Sequence, residues 1–337
     1  MTSVLSRAAE LEHEGRWREA IELLTIAERN GRKANIGRRL VQARHEAFAH
    51  LQAGMTGTLL TAPGHDIPPG SPPEVSREDL TGDVLAASIA SAGCLLVRGL
   101  IPPPRVVQLI DDIDRAFAAF DSAHGGQRPQ DGRRWFDPFL SRSGYPADIG
   151  RHWVREGGGV LAADSPLALF DVLEAVGEAG AIGVITRYLG ENPVAISVMK
   201  TTLRIVPMDT NTAWHQDGAF LGTEIRSLNL WLALTQCGDD APGLDLLPRR
   251  LDQIVDTGTQ GAIFDWAAAP DAVERAAAGV ELVRPIFRPG DALLFDHLLM
   301  HRTGAGPGMR RHRYAVEMWF FAPSHYPTGH PPLVIYG

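Results

Sequence analysis

Residues 212–220 read TAWHQDGAF and set an imidazole, His215, two positions before a carboxylate, Asp217, in a chain with 12 histidines. On an extended backbone side chains alternate faces, so His215 and Asp217 point one way and Gln216 the other. Such a pair serves as half of a metal site, as a base with its orienting acid, or as a chance neighbour on the surface. The spacing alone leaves all three open.

A later segment, FRPGDALLFDHLLMHRTGAG, offers a third group. It reads as a turn at Pro289, Gly290 and Asp291, a strand through Leu293 to Phe295, and then two histidines, His297 and His301. A histidine on a later strand of a double-stranded sheet can face the first pair across the barrel. Two imidazoles and one carboxylate on one face are the triad that holds Fe(II) and leaves three adjacent coordination positions open. Thiolate cages and disulfide frameworks are excluded, because Cys94 and Cys237 are the only cysteines. Two lone thiols suit a reducing cytoplasm.

The elements that must position these groups follow from pattern. The chain has 337 residues, 45% of them apolar, enough for one large domain and an appendage. Its first residues lack an apolar signal segment, and no run approaches the ~18 apolar residues of a membrane span, so the expected location is cytoplasmic, with no membrane partner. A net charge of -8 argues against nucleic acid as a partner. Residues 1–60 are expected to form a helical extension: Trp17, Ala20, Ile21, Leu24 and Ala27 keep helical spacing, and Ile36, Leu40, Ala43, Ala47, Phe48 and Leu51 repeat it. The stretch AAELEHEGRWREAIELLTIAERNG resembles one tetratricopeptide unit with Gly15 at the turn. One unit cannot cover its own apolar face, so these helices should dock on the main domain or on a second copy of the chain. A linker rich in proline and glycine over 61–75 leads to a domain spanning 76–337.

Within that domain the period changes along the chain. A helix, a buried strand around Leu95 to Val97, a helix from about Arg105 and a further helix with Ser165 as N-cap and Pro166 at its first position come first. Then VAISVMKTTLRIVP, SLNLWLALTQC, VELVRPIFRPGDALLFD and RYAVEMWFFAP are short, apolar and punctuated by turns. Strands in series without crossover helices predict an antiparallel jelly roll. The expected fold is therefore mostly β, a double-stranded β-helix with flanking helices and an all-α segment in front.

These residues together, His215-Gln216-Asp217, LNLWLAL with Trp231, GLDLLP, RPGDALLF, His301 and Arg313 opening RYAVEMWFF, resemble the phytanoyl-CoA dioxygenase family of Fe(II)/2-oxoglutarate oxygenases. The resemblance runs from about Gly82 to Phe321 and leaves the helical extension outside. It implies that His215, Asp217 and His301 hold Fe(II), and that Arg313, 12 positions after His301, pairs with the far carboxylate of 2-oxoglutarate. A planar guanidinium suits that role because its fork binds a carboxylate bidentately. Arg310 and Arg311 compete by spacing, but GPGMRRH reads as a turn and Arg313 opens the strand. By the same resemblance Thr303, Trp231 and Thr202 line the cosubstrate pocket, although Thr303 could serve only its turn and Trp231 only the core. His297 is expected to pack beside the site.

The implied activity is a dioxygenase that uses O2 and 2-oxoglutarate to hydroxylate a C–H bond of a small-molecule substrate, releasing succinate and CO2. Ring closure, desaturation or epimerisation would use the same ligands, and an adaptor working through the N-terminal helices is the non-catalytic alternative. The carboxylate Asp217 favours hydroxylation, because related halogenases carry a small residue there. The arginines of residues 126–158, among them Arg128, Arg133, Arg134, Arg142, Arg151 and Arg155, read either as a lid for an anionic or carrier-linked substrate or as a solvated surface.

Overall fold

A computed structural model describes residues 3–51, 57–62, 70–126, 132–140, 147–259 and 261–337. Three helices lead the chain, α1 (Val4–His13), α2 (Trp17–Gly31) and α3 (Ala34–Phe48). Ser3 caps α1 by accepting the Ser6 amide, and Gly15 makes the turn into α2 at φ 76°, a backbone conformation that glycine adopts without strain. The apolar stripes, including Ile21, Leu24, Leu40 and Ala43, are buried against one another and against Phe170 and Val334 of the body. Arg29 pairs with Glu174 at 2.6 Å and Arg32 with Asp171 at 2.7 Å, while Arg44 donates to the Val334 carbonyl at 2.9 Å. Of the two docking outcomes expected from the pattern, the helices therefore take the first, on their own chain. The expected linker over 61–75 includes residues 63–69, outside the described residues; at its edges Leu59, Leu60 and Ala62 pack against the core and Glu74–Ser76 forms a strand.

The strands are β1 (Glu74–Ser76), β2 (Cys94–Arg98), β3 (Gly159–Leu161), β4 (Val194–Ser197), β5 (Thr202–Val206), β6 (Ser227–Ala233), β7 (Gly243–Leu246), β8 (Ala292–Phe295), β9 (His301–Gly304), β10 (Arg313–Phe321) and β11 (Pro332–Ile335). Nine of them form one sheet in the order β1-β2-β8-β6-β10-β4-β11, with β5 also on β10 and β3 on β5. The pair β7 and β9 forms the facing sheet, widened by single bridges from His215 to His301 and from Leu246 to Val283.

The remaining helices are α4 (Gly82–Ala92), α5 (Pro103–His124), α6 (Gly132–Trp135), α7 (Ala147–Glu156), α8 (Pro166–Glu178), α9 (Ala181–Leu189), α10 (Gly218–Leu221) and α11 (Pro270–Ala277). Among the described residues helix makes up 42% and strand 19%, which corrects the expectation of a mostly β protein to a mixed α/β one with a cupin-like sheet core. The strands are short, and the outer face of the large sheet must be covered. Residues of α4, α5, α8 and α9 share one buried cluster with it. Two local expectations also change. Pro166 opens α8, but Ser165 makes no side-chain cap, and its hydroxyl donates to the Trp135 carbonyl instead. Within VELVRPIFRPGDALLFD only Ala292 to Phe295 is strand.

Alternation along the central strands sorts side chains into two environments. Leu228, Leu230 and Leu232 of β6, Leu294 of β8, and Val316 and Met318 of β10 belong to the cluster shared with the helices. Their neighbours Asn229, Trp231, Phe295, Glu317 and Trp319 line a cavity between the two sheets. The register pairs Trp231 with Glu317 and Asn229 with Trp319, so these inward side chains meet as cross-strand neighbours.

Candidate active site

The three expected ligands converge in the lining of the cavity between the two sheets. The Nε2 atom of His215 lies 3.7 Å from Oδ1 of Asp217, and that of His301 lies 3.9 Å from the same oxygen. One ligand atom from each residue falls within 4.8 Å of the other two. Backbone pairing brings the histidines together: the His215 amide donates to the His301 carbonyl at 3.0 Å, and the His301 amide donates back to His215 at 3.0 Å. Asp217 arrives differently from the alternation argument. Its backbone is helical, at φ -62° and ψ -28°, where the chain turns into α10. Gln216 does point away, bonding the Leu298 carbonyl at 2.7 Å and the Val255 amide at 2.8 Å.

Hydrogen bonds prepare each group to hold a cation. Nδ1 of His215 lies 2.8 Å from the Ala213 carbonyl and Nδ1 of His301 lies 3.0 Å from the Leu299 carbonyl. A proton held at Nδ1 leaves each Nε2 lone pair free toward the centre. The Asn229 amide donates to Oδ2 of Asp217, while Oδ1, buried, has no hydrogen-bond partner. An orphaned carboxylate oxygen between two imidazole nitrogens is a vacancy in hydrogen bonding that a divalent cation would fill. Burial, reinforced by the neighbouring His301, pushes His215 down to about 4. Burial likewise lowers His301 and pushes Asp217 up to about 7.

Behind this centre sits Arg313, 1% exposed and among the largest fully buried side chains. Its guanidinium donates to the carbonyls of Pro242 at 3.1 Å and Gly243 at 3.0 Å and to the Thr303 hydroxyl at 3.4 Å. It lies 5.1 Å from the centre of the Trp231 ring. Its Nε atom and the Trp231 Nε1 atom are buried without partners. No carboxylate among the described residues lies within ion-pair distance of it, and burial depresses its ordinary value. Arg310 and Arg311, the rivals by spacing, are exposed in the preceding turn, where both amides donate to the Asp240 carbonyl.

The cavity that joins these parts has a volume of about 690 Å³. Thr303 and Trp231 form the wall in front of Arg313, and Thr202 lies on the same lining with its hydroxyl donating to Glu317 at 3.0 Å. Glu317 also pairs with Arg204 at 2.9 Å, and against the upward push of burial that guanidinium holds it below the ordinary carboxylate range. The outer wall is aromatic: Trp153, Phe220, Phe264, Trp266 and Trp319. His297 stays outside the triad, 3.3 Å from the Ser227 hydroxyl, with its carbonyl accepting from Gly218.

Several of these lining residues fall outside the expected set. Asn229 is two positions from Trp231, and Glu317 and Trp319 are four and six from Arg313 on the same strands, so alternation carried along from those two would have found them. Arg204 is likewise two positions after Thr202 on β5, while Lys200 lies in the turn before that strand and had no such marker. Two of the arginines of 126–158 pair with acids of the same chain: Arg151 is buried against Asp164 at 2.6 Å, and Arg155 pairs with Asp121 at 2.8 Å. Arg128 and Arg142 lie outside the described residues. What this region does bring to the cavity is Trp153 and Val154 of α7.

Known proteins are similar to parts of this chain. None of the curated proteins compared matches the sequence. Among solved structures, a non-heme alpha ketoglutarate dependent epimerase, SnoN, from nogalamycin biosynthesis is similar at 16% identity and a TM-score of 0.43, over 71% of this chain and 82% of that one. A non-heme monooxygenase, ThoJ, in complex with nickel is similar at 14% identity and a TM-score of 0.45, over 74% and 82%. The family model for phytanoyl-CoA dioxygenase matches residues 178–312. That is narrower than the resemblance in sequence, and it ends one residue before Arg313. The matched segment carries His215, Asp217 and His301, so over this stretch the chain is similar to the phytanoyl-CoA dioxygenase family.

Proposed function

We propose that the chain hydroxylates a C–H bond of a small-molecule substrate, with His215 Nε2, His301 Nε2 and Asp217 Oδ1 holding Fe(II) and Arg313 holding the far carboxylate of 2-oxoglutarate. When bound, the iron supplies O2 activation coupled to decarboxylation of 2-oxoglutarate, so that substrate, O2 and 2-oxoglutarate become alcohol, succinate and CO2. The protein's own groups orient these components. The Ala213 and Leu299 carbonyls keep both imidazoles in the tautomer that presents Nε2. Asn229 orients Asp217 so that Oδ1 faces them. Arg313, braced by two backbone carbonyls, offers its remaining donor capacity through the wall made by Thr303 and Trp231. The five aromatic side chains of the outer wall, of which Trp153, Phe220 and Phe264 are exposed, offer an apolar surface to a substrate body.

Arg313 is the observation that carries this reading. A guanidinium buried without a carboxylate is costly unless an anion completes it, and a metal triad used for hydrolysis would not need that cation. The test is anaerobic addition of Fe(II) and 2-oxoglutarate to the full chain. A weak visible charge-transfer band should develop in the wild type and fail in His301→Ala, while His297→Ala keeps it. A wild type without the band would overturn the assignment, and a band lost only in His297→Ala would move the distal ligand.

A further inference from the structure

One cation in the cavity has no counterpart in that scheme. Lys200 ends the turn Val198–Lys200 between β4 and β5 and lines the cavity. Its ammonium lies 4.3 Å from the centre of the Phe220 ring and 5.0 Å from that of Trp319. The acids that act on it electrostatically, Asp217 and Glu317, are both engaged elsewhere, and neither lies within ion-pair distance of it. The aromatic faces stabilise the ammonium but do not neutralise it.

Charge balance shows what is missing. Arg204 and Glu317 cancel as an ion pair. A divalent ion on Asp217 with two neutral imidazoles leaves one positive charge, and Arg313 adds another. The two carboxylates of 2-oxoglutarate offset both. Lys200 alone stays unbalanced when the centre is fully loaded. Burial already lowers its affinity for the proton, so an incoming anion would relieve a standing penalty.

We propose that Lys200 anchors a single anionic group of the primary substrate, a carboxylate on an apolar body that lies along Phe220, Trp266 and Trp319. The inference rests on the 2-oxoglutarate reading above. Residue choice agrees with it: Lys33 and Lys200 are the only lysines in a chain whose other cationic side chains are arginines. An ammonium is a compact point charge that can sit between two rings and still face the cavity, whereas a guanidinium would lie flat across them.

The test compares an acid with its neutral isostere. The full chain, saturated with Mn(II) and 2-oxoglutarate, is titrated calorimetrically with 2-naphthoate and 2-naphthamide, and with indole-3-acetate and its amide. The wild type should prefer the acid in at least one pair by about tenfold, ~1.4 kcal/mol. Lys200→Met should remove the preference and Lys200→Arg should keep part of it, while 2-oxoglutarate affinity stays close to wild type in both. Equal binding of acid and amide, binding of neither, or a preference that survives Lys200→Met would each overturn the proposal. So would a Lys200→Met variant that loses 2-oxoglutarate, because Lys200 would then serve the cosubstrate. A wild type that takes up no 2-oxoglutarate sinks the earlier reading and the charge balance with it; uptake without acid preference sinks only the assignment of Lys200.

Discussion

The two faces of the large sheet are made by the same strands and obey different rules. On the outer face Leu228, Leu230, Leu232, Val316 and Met318 meet helices, and none of them is polar. Full burial of each such side chain contributes roughly 1.5–3 kcal/mol. On the inner face the alternate residues include Asn229, Glu317 and Arg313, which burial penalises unless each finds a partner. Most of them do find one. Asp217 Oδ1, Asn229 Oδ1, Trp231 Nε1 and Arg313 Nε lack one, and of these Asp217 and Arg313 sit where a cation and an anion are expected. Stability therefore resides on one face of a strand and chemistry on the other, one residue apart, and substitutions on the two faces should have separable effects.

The largest expected effect is at Arg313. Arg313→Ala leaves the cosubstrate carboxylate unpaired, at a cost of ~3–5 kcal/mol, or roughly two to four orders of magnitude in 2-oxoglutarate affinity. Arg313→Lys, which keeps the charge and loses the fork, should fall between. Iron affinity should hardly move. Alanine at Arg310 and at Arg311 is the control, since both side chains are exposed. The Michaelis constant for 2-oxoglutarate in a succinate-release assay reads all four, and a large loss at Arg310 or Arg311 with Arg313→Ala unaffected would refute the assignment.

Leu232→Ala tests the other face of β6. It removes a fully buried side chain from the cluster shared with the helices and should lower stability by ~2–5 kcal/mol. The folded protein should keep its 2-oxoglutarate affinity. Denaturant unfolding together with cosubstrate binding measures both quantities. A Leu232→Ala variant of normal stability that binds 2-oxoglutarate poorly would show that the two faces are not separable.

The smallest effect concerns protons. A cation needs Asp217 ionised, and burial pushes that carboxyl up to about 7, so below pH 7 the metal competes with one proton. Cation affinity should fall about tenfold, ~1.4 kcal/mol, per pH unit below 7 and level off above it. His215, held at about 4, and His301, also lowered, remain neutral ligands over most of that range. Addition of Mn(II) at pH 6 to the weakly buffered chain should release close to one proton, and none in Asp217→Ala. Affinity that is flat from pH 5 to 7 would contradict the assigned state of Asp217.

Local pattern by itself determined much of this protein. The helical stripes of the first 48 residues, the strand through Leu95 to Val97, the helix opened by Pro166 and the strand opened by Arg313 are each written in spacing and turn chemistry, which act over one or two turns of chain. The candidate ligands His215, Asp217 and His301 and the role of Arg313 came instead from the resemblance to a family motif, since spacing alone left the His215–Asp217 pair open; the strand boundary only favoured Arg313 over Arg310 and Arg311. Tertiary structure decided the rest. Only packing against the outer face made the chain more helix than strand, and only the facing sheet brought His301 beside His215 from a distant segment. Asp217 reaches the centre through a turn into α10 that no alternation rule describes. Arg151 and Arg155 found acids on other elements, while Lys200 found aromatic rings and no acid. Long-range pairing of charges depends on which elements the fold brings within a few ångströms, and a residue's neighbours in sequence carry no record of that.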